Sequence, residues 1–348
     1  MMLYFSMSQI KTEEKKLKLI LLSIIEGIQF NIINHNKITS SAEKLMNFGG
    51  KYTSKLIIQE IINNYNLLTK YEFFYKTNKI SINYYHKNKI TLHDSLDILF
   101  LAIKGLCFIS VTNKKNIDII FNYCPTDFKK KLTQNVIGPN NVNSGFTTFY
   151  SSSPGFISIY RKEEAHKVFI HELIHYLKLD FSRINCQSIH NSIENDFSIN
   201  SPKENINLFE AYTDSMAIIY NTIINAILTK DISKNVINYE VSYQYNLINS
   251  LLNELNITHI VNDLNTSAIK LKQTSNVLSY YFLKYGAMKN VNMLFKKYSL
   301  YTKWDIHKIR EFYMLIKQNL INMKRKTHIK WGNKSMRMSK NNILFNVL

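Results

Sequence analysis

The segment Val168-Phe169-Ile170-His171-Glu172-Leu173-Ile174-His175-Tyr176-Leu177 constrains this 348-residue chain more than any other stretch. Its apolar residues recur with helical spacing, and the pattern predicts a helix over Glu163 to Leu179. Glu163 and Glu164 fall in the first turn, where negative charge complements the helix dipole. At about 100° per residue, positions four apart lie ~40° apart around a helix, so His171 and His175 project side by side with Glu172 next to them. The bland alternative is an exposed helix with a His-Glu-His surface. Against it, Glu172 is the one charged residue between Val168 and Leu177, whereas a solvent-facing helix is richer in charge. Burying two imidazoles and a carboxylate among Val, Phe, Ile and Leu is costly unless something such as a metal satisfies them. The spacing therefore predicts two metal ligands, with Glu172 beside them to take a proton from water that the metal polarises.

A catalytic zinc needs a third protein ligand and an open position. Downstream, Phe209-Glu210-Ala211-Tyr212-Thr213-Asp214-Ser215 places Glu210 and Asp214 on one face of a helix expected over Ile206 to Leu228. Asp180, His190 and Asp196 in the connector are alternatives that lack a supporting helix pattern.

Together these two segments resemble the signature of the gluzincin metallopeptidases, the zincins with HExxH plus a Glu on a later helix. The shared features are a Val three residues before the first His, uncharged residues around the motif, a hydrophobic residue two after the second His, and an Asp four residues after the Glu. The metzincin pattern is excluded, because its Gly and third His would fall on Lys178 and Phe181. The resemblance implies Zn2+ held by His171, His175 and Glu210, and Asp214 orienting a zinc-bound histidine. It further implies hydrolysis of a peptide or protein substrate with Glu172 as general base. One departure is the connector, since Glu210 lies 35 positions after His175, farther than is usual in that family. With the run Asn141 to Thr147 and Ile157 to Tyr160, the stretch 141 to 217 also looks similar to uncharacterised zinc peptidases of large DNA viruses. Zincins bind extended substrate along a strand edge, and one of these strands is a candidate for that role, the alternative being a core hairpin. An oxyanion-stabilising group could come from Tyr280, Tyr281, Tyr285, His259 or Tyr212, but Val277, Tyr281 and Tyr285 at helical spacing read as core packing, and none is singled out.

The expected fold is α+β, predominantly helical and zincin-like, with a small sheet beside the HExxH helix. Helical spacing at Ile10 to Ile33, Ser54 to Leu68 and Leu92 to Leu106 suggests an N-terminal helical region, 1–106. Ile117 to Tyr123, Gly145 to Tyr150 and Phe156 to Tyr160 read as strands, the last two separated by a turn at Ser153-Pro154-Gly155. Asp180 to Lys203 reads as a loop, and further helices are expected at Tyr239 to Leu255, Asn276 to Asn290 and Asp305 to Met323. The catalytic region would thus be 107–323, followed by a basic tail, 324–348.

Charge points elsewhere as well. The 44 Lys and Arg exceed the 25 Asp and Glu by 19, although the Lys, Asn and Ile content has the look of AT-rich coding. No acidic residue follows Glu311, and Lys324, Arg325, Lys326, Lys330, Lys334, Arg337 and Lys340 surround Trp331. This tail is a solvated terminus or a weak contact for nucleic acid or another acidic surface. The rival readings of the whole chain are an inactive, zinc-stapled pseudopeptidase and a basic nucleic-acid or particle-associated protein. Cys107, Cys124 and Cys186 form no CxxC pair and suggest neither a disulfide framework nor a thiolate site. The apolar run Leu17 to Ile25 is broken by Lys18 and reads as neither signal peptide nor membrane span. An intracellular, cytoplasmic location is the expectation, in host cytoplasm or virion if the chain is viral.

Overall fold

A computed structural model describes residues 8–131, 137–149, 155–197, 206–231, 233–254, 273–321, 323 and 337–338. The elements in chain order begin with α1 (Ser8–Gly27), β1 (Gln29–Ile38), α2 (Ser41–Phe48), α3 (Lys55–Asn64), β2 (Leu67–Tyr75), β3 (Asn78–His86) and α4 (Leu92–Val111). There follow β4 (Asp118–Thr126), α5 (Pro139–Val142), β5 (Gly145–Thr147), β6 (Phe156–Arg161), α6 (Ala165–Tyr176), α7 (Gln187–Phe197), α8 (Leu208–Leu228) and α9 (Ser233–Glu254). A π-helical turn, Leu278–Leu283, leads into α10 (Lys284–Met288), then α11 (Val291–Lys297) and α12 (Ile306–Ile321). Local chemistry starts several of these helices: Ser40 and Ser54 cap α2 and α3, and Thr91 with Asp94 forms a reciprocal capping box on α4.

The fold is α+β and mostly helical, around one open, mixed sheet in the order β1-β2-β3-β4-β6-β5. Strands β3, β4 and β6 run parallel, while β1, β2 and the far edge strand β5 pair antiparallel. One face carries the larger core, built with α1, α4, α6 and α8; the other packs Phe48, Ile57, Ile61 and Tyr65 of the α2–α3 layer against Tyr85, Cys124 and Tyr160. A sheet covered on both faces needs apolar residues pointing both ways, and every residue of β6 is buried.

Several expectations require correction. The region 1–106 is not helical throughout, because it contributes β1, β2 and β3, half of the sheet. Apolar residues with helical spacing continue past Gly27 into β1 and past Asn64 into β2, where the period-two pattern of Tyr71, Phe73, Tyr75 and Ile80, Ile82, Tyr84 marks a hairpin. The sheet is therefore not small, and the boundary at 106/107 falls inside α4, with β3 and β4 paired across it. The connector 180–203 contains α7, whose Ile189, Ile193 and Phe197 share a buried face. Strands at Ile117 to Tyr123 and Phe156 to Tyr160 match β4 and β6, whereas β5 stops at Thr147. Ser153, Pro154 and nearly all of 324–348 lie outside the described residues; Arg337 and Met338 are described, and Met338 is buried, so at that point the tail is not a solvated one. All three cysteines are buried free thiols. No helix among the described residues is long and apolar enough to cross a membrane.

Candidate metal centre

Helix α6 sits on the sheet through Phe169, whose ring stacks on Phe121 of β4 at 4.3 Å. Gly105 of α4 permits this approach: a Cβ there would lie 2.7 Å from both the Phe169 ring and Ile80. With Val168, Phe169, Ile170, Leu173 and Ile174 buried, the helix turns His171, Glu172 and His175 toward a cleft between edge strand β5 and α8. Glu210, in the first turn of α8, faces the two histidines, and Asp214 follows one turn later.

His171, His175 and Glu210 converge as a possible metal-binding triad. The two Nε2 atoms are 3.1 Å apart, and Glu210 Oε2 lies 3.2 Å from that of His171 and 3.5 Å from that of His175. Ligands bound at about 2.0–2.1 Å around a tetrahedral metal stand ~3.3 Å from one another, the scale of these three edges. Glu210 Oε2 is buried without a hydrogen-bond partner, the state expected of a ligand atom rather than of a settled polar group. The donor set therefore fits a small divalent metal.

Each imidazole is held from behind by a carboxylate. His171 Nδ1 donates to Asp214 Oδ1 at 3.1 Å, and His175 Nδ1 donates to Asp180 Oδ2, which assigns the Nδ1–H tautomer to both rings and turns both Nε2 lone pairs to the centre. Asp180 reaches His175 because Lys178, in the left-handed region at φ 57°, folds the chain back at the end of α6. Ser182 donates to Asp180 from its backbone N at 3.0 Å and its hydroxyl at 2.6 Å. Asp214 is also clamped by Lys167 at 2.5 Å and Lys284 at 3.0 Å.

The electrostatics favour positive charge here. Burial works against the Asp214 carboxylate, but Lys167 and Lys284 outweigh it and hold it well below the ordinary range. Burial likewise opposes Glu210, yet the two histidines bring it down to about 2. Burial opposes both imidazolium ions as well; Asp214 and Glu210 nevertheless raise His171, and Glu210 and Asp180 raise His175 further. Carboxylates that outweigh burial around both rings make this a pocket that favours a cation.

Glu172 borders the cleft of about 530 Å³, and the Thr147 hydroxyl of β5 lies 2.8 Å from its Oε2 and 3.1 Å from its backbone carbonyl. Tyr280, on the π-helical turn, lines the same cleft, with its ring 6.1 Å from that of His171. Burial, then Glu210 and Glu172, push its hydroxyl well above the usual phenol range, so it remains a donor.

Other sequence candidates are elsewhere. Tyr281 and Tyr285 are core residues, Tyr212 donates to the Ser299 carbonyl at 3.0 Å, and His259 lies outside the described residues. Asp196 pairs with Lys317 at 2.8 Å, His190 is not in the triad, and Asp180 stands behind His175 instead of joining the ligand set. Thr147, Lys167 and Lys284 escape sequence reasoning, which has no local signal for partners supplied by distant segments. Comparison with protein-family models, curated proteins and solved structures finds no match. The functional reading therefore rests on the residues themselves.

Proposed function

We propose that the chain is a zinc metallopeptidase of the gluzincin type, on a zincin-like arrangement of sheet and helices. The observation that carries this reading is the near-equilateral triangle of His171 Nε2, His175 Nε2 and Glu210 Oε2, with an unpartnered oxygen at one corner. A His2Glu set is a catalytic set for zinc, since it leaves a coordination position open. When bound, the zinc would polarise a water and a substrate carbonyl as a Lewis acid.

The remaining work falls to side chains. Glu172, positioned by Thr147, takes the proton of the attacking water and passes it to the leaving amine. Asp214 and Asp180 keep the two imidazoles in the ligating orientation. Tyr280 offers a protonated hydroxyl to the developing oxyanion from the wall of the cleft. Strand β5 is the sheet edge and borders the cleft, so an extended peptide can add to it as a further strand.

Substituting Glu172→Gln tests the assignment. The variant should bind zinc as the wild type does and lose peptide-bond hydrolysis by about 10²-fold or more. Turnover close to wild type in a zinc-loaded Glu172→Gln protein would contradict it.

A further inference from the structure

The two ends of the cleft differ in chemistry, and strand β5 fixes where each lies relative to Glu172. A Cβ on Gly145 would come within 3.2 Å of Val168, the Thr147 hydroxyl is 2.8 Å from Glu172 Oε2, and the Phe149 ring stacks on that of Tyr176 at 6.3 Å. Two strand residues advance ~6.6 Å and four helical residues ~6 Å, so β5 and α6 run side by side in step. Thr147 therefore marks the level of Glu172, with one end of the cleft toward Gly145 and the other toward Phe149. Ser144 accepts from Tyr160 N and Thr148 N donates to Phe156, both at 2.9 Å. Alternation along the strand then turns the backbone groups of Gly145 and Thr147 away from β6, toward an added strand.

At the Phe149 end the walls are aromatic. Phe149 is 52 % exposed, and Phe209 of α8 lines the same cleft with its ring 5.9 Å from that of His175. Ser182 also lines the cleft, but its hydroxyl is given to Asp180. Toward Gly145 the walls are polar, and a turn brings in Lys51 and Tyr52. The Tyr52 carbonyl accepts from the Asn143 amide at 3.3 Å and the Tyr160 hydroxyl at 2.7 Å, and Ser275 in turn donates to Asn143 at 2.9 Å. The Tyr52 ring stacks on Phe146 at 6.1 Å, and Lys51 Nζ stands 5.1 Å over it. Among the described residues the carboxylates lining the cleft are Glu172 and Glu210, both of the metal site, and Lys51 is in no ion pair.

We infer that the cleft selects extended peptides with an apolar residue on one side of the scissile bond, against Phe149 and Phe209, and an acidic residue on the other, against Lys51. The inference rests on the peptidase reading and names the substrate class for it. An apolar side chain sheds water against the two aromatic rings. At the opposite end a carboxylate meets an uncompensated ammonium group, whereas a basic residue meets like charge.

The test uses the full chain as zinc-loaded Glu172→Gln protein, which retains peptides from a randomised mixture of short peptides without cutting them. The retained pool should be enriched in peptides that carry Asp or Glu a few residues from Leu or Phe. Lys51 and Phe149 are both exposed, so substituting them spares the core. On the same background, Lys51→Glu should exchange the acidic preference for Lys and Arg, a swing of roughly tenfold in their ratio, and leave the apolar preference in place. Phe149→Ala should do the reverse, weakening the apolar preference alone. With wild-type protein, sequencing the cut ends should find the two residue classes on opposite sides of each cut. A pool without enrichment, or an acidic preference that survives Lys51→Glu, overturns the inference even if the wild type cuts the mixture. A wild type that retains the enriched peptides yet cuts none contradicts the peptidase reading and leaves the cleft's preference standing.

Discussion

Helix α6 presents ionisable groups to two neighbours, and the two faces treat them in opposite ways. Toward α8, burial opposes charge, yet carboxylates win, and His171, His175 and Lys167 are all held more basic than usual. Toward α4, burial prevails: His166 is pushed down by desolvation and by Lys104 despite its 2.7 Å contact with Asp97. Lys104, whose hydrogen bond goes to the neutral Asn221 at 3.2 Å, falls to about 7. Depth is similar on both faces. What differs is the balance of carboxylates to cations, and the face with more carboxylate is the one suited to a metal.

Removing that carboxylate support should produce the largest effect. Asp214→Ala would strand Lys167 and Lys284 and release His171, and it should destabilise the fold by about 3–5 kcal/mol, read by chemical denaturation. A loss below ~1 kcal/mol would break the comparison, because it would mean that the lysines are not held charged by Asp214. Asp180 sharpens it. This residue serves His175 from a turn and holds no buried lysine, so Asp180→Ala should weaken zinc about 10–100-fold in competition with a chromophoric chelator. Its unfolding free energy should change far less than that of Asp214→Ala.

A pH-dependent effect belongs to the α4 face. Lys104 has a folded pKa of about 7, below its ordinary 10.5, so the unfolded chain binds more protons than the folded one between these values. Its contribution to stability therefore rises as pH climbs from about 7 toward 10, and its penalty is complete at lower pH. Lys104→Met should be more stable than the wild type at pH 7, with the gap closing toward pH 10. Denaturation midpoints across that range read the difference, and a gap independent of pH would refute a depressed Lys104.

The centre was legible in the sequence where the information is local. Helical spacing places His171, Glu172 and His175 together, and the same rule aligns Glu210 with Asp214. That the two helices meet with Glu210 facing both histidines is a tertiary fact which the resemblance implied and the geometry supplies. Asp180 was visible as a candidate ligand, but its place behind His175 depends on the left-handed Lys178, a conformation that a lysine does not advertise. Lys284 lies 70 positions from Asp214, and no periodicity connects them. Strands β1 to β3 were hidden for a different reason: short apolar runs fit both periods, and the helical reading ran past the helix ends into the strands.

The central claim is that His171, His175 and Glu210 hold one catalytic zinc, and metal stoichiometry on purified wild type beside His171→Ala and Glu210→Ala tests it most directly. The account predicts one zinc per chain in the wild type, lost or sharply weakened in both variants. A wild type that takes up no zinc under conditions that exclude stripping, or variants that keep it with undiminished affinity, would contradict it.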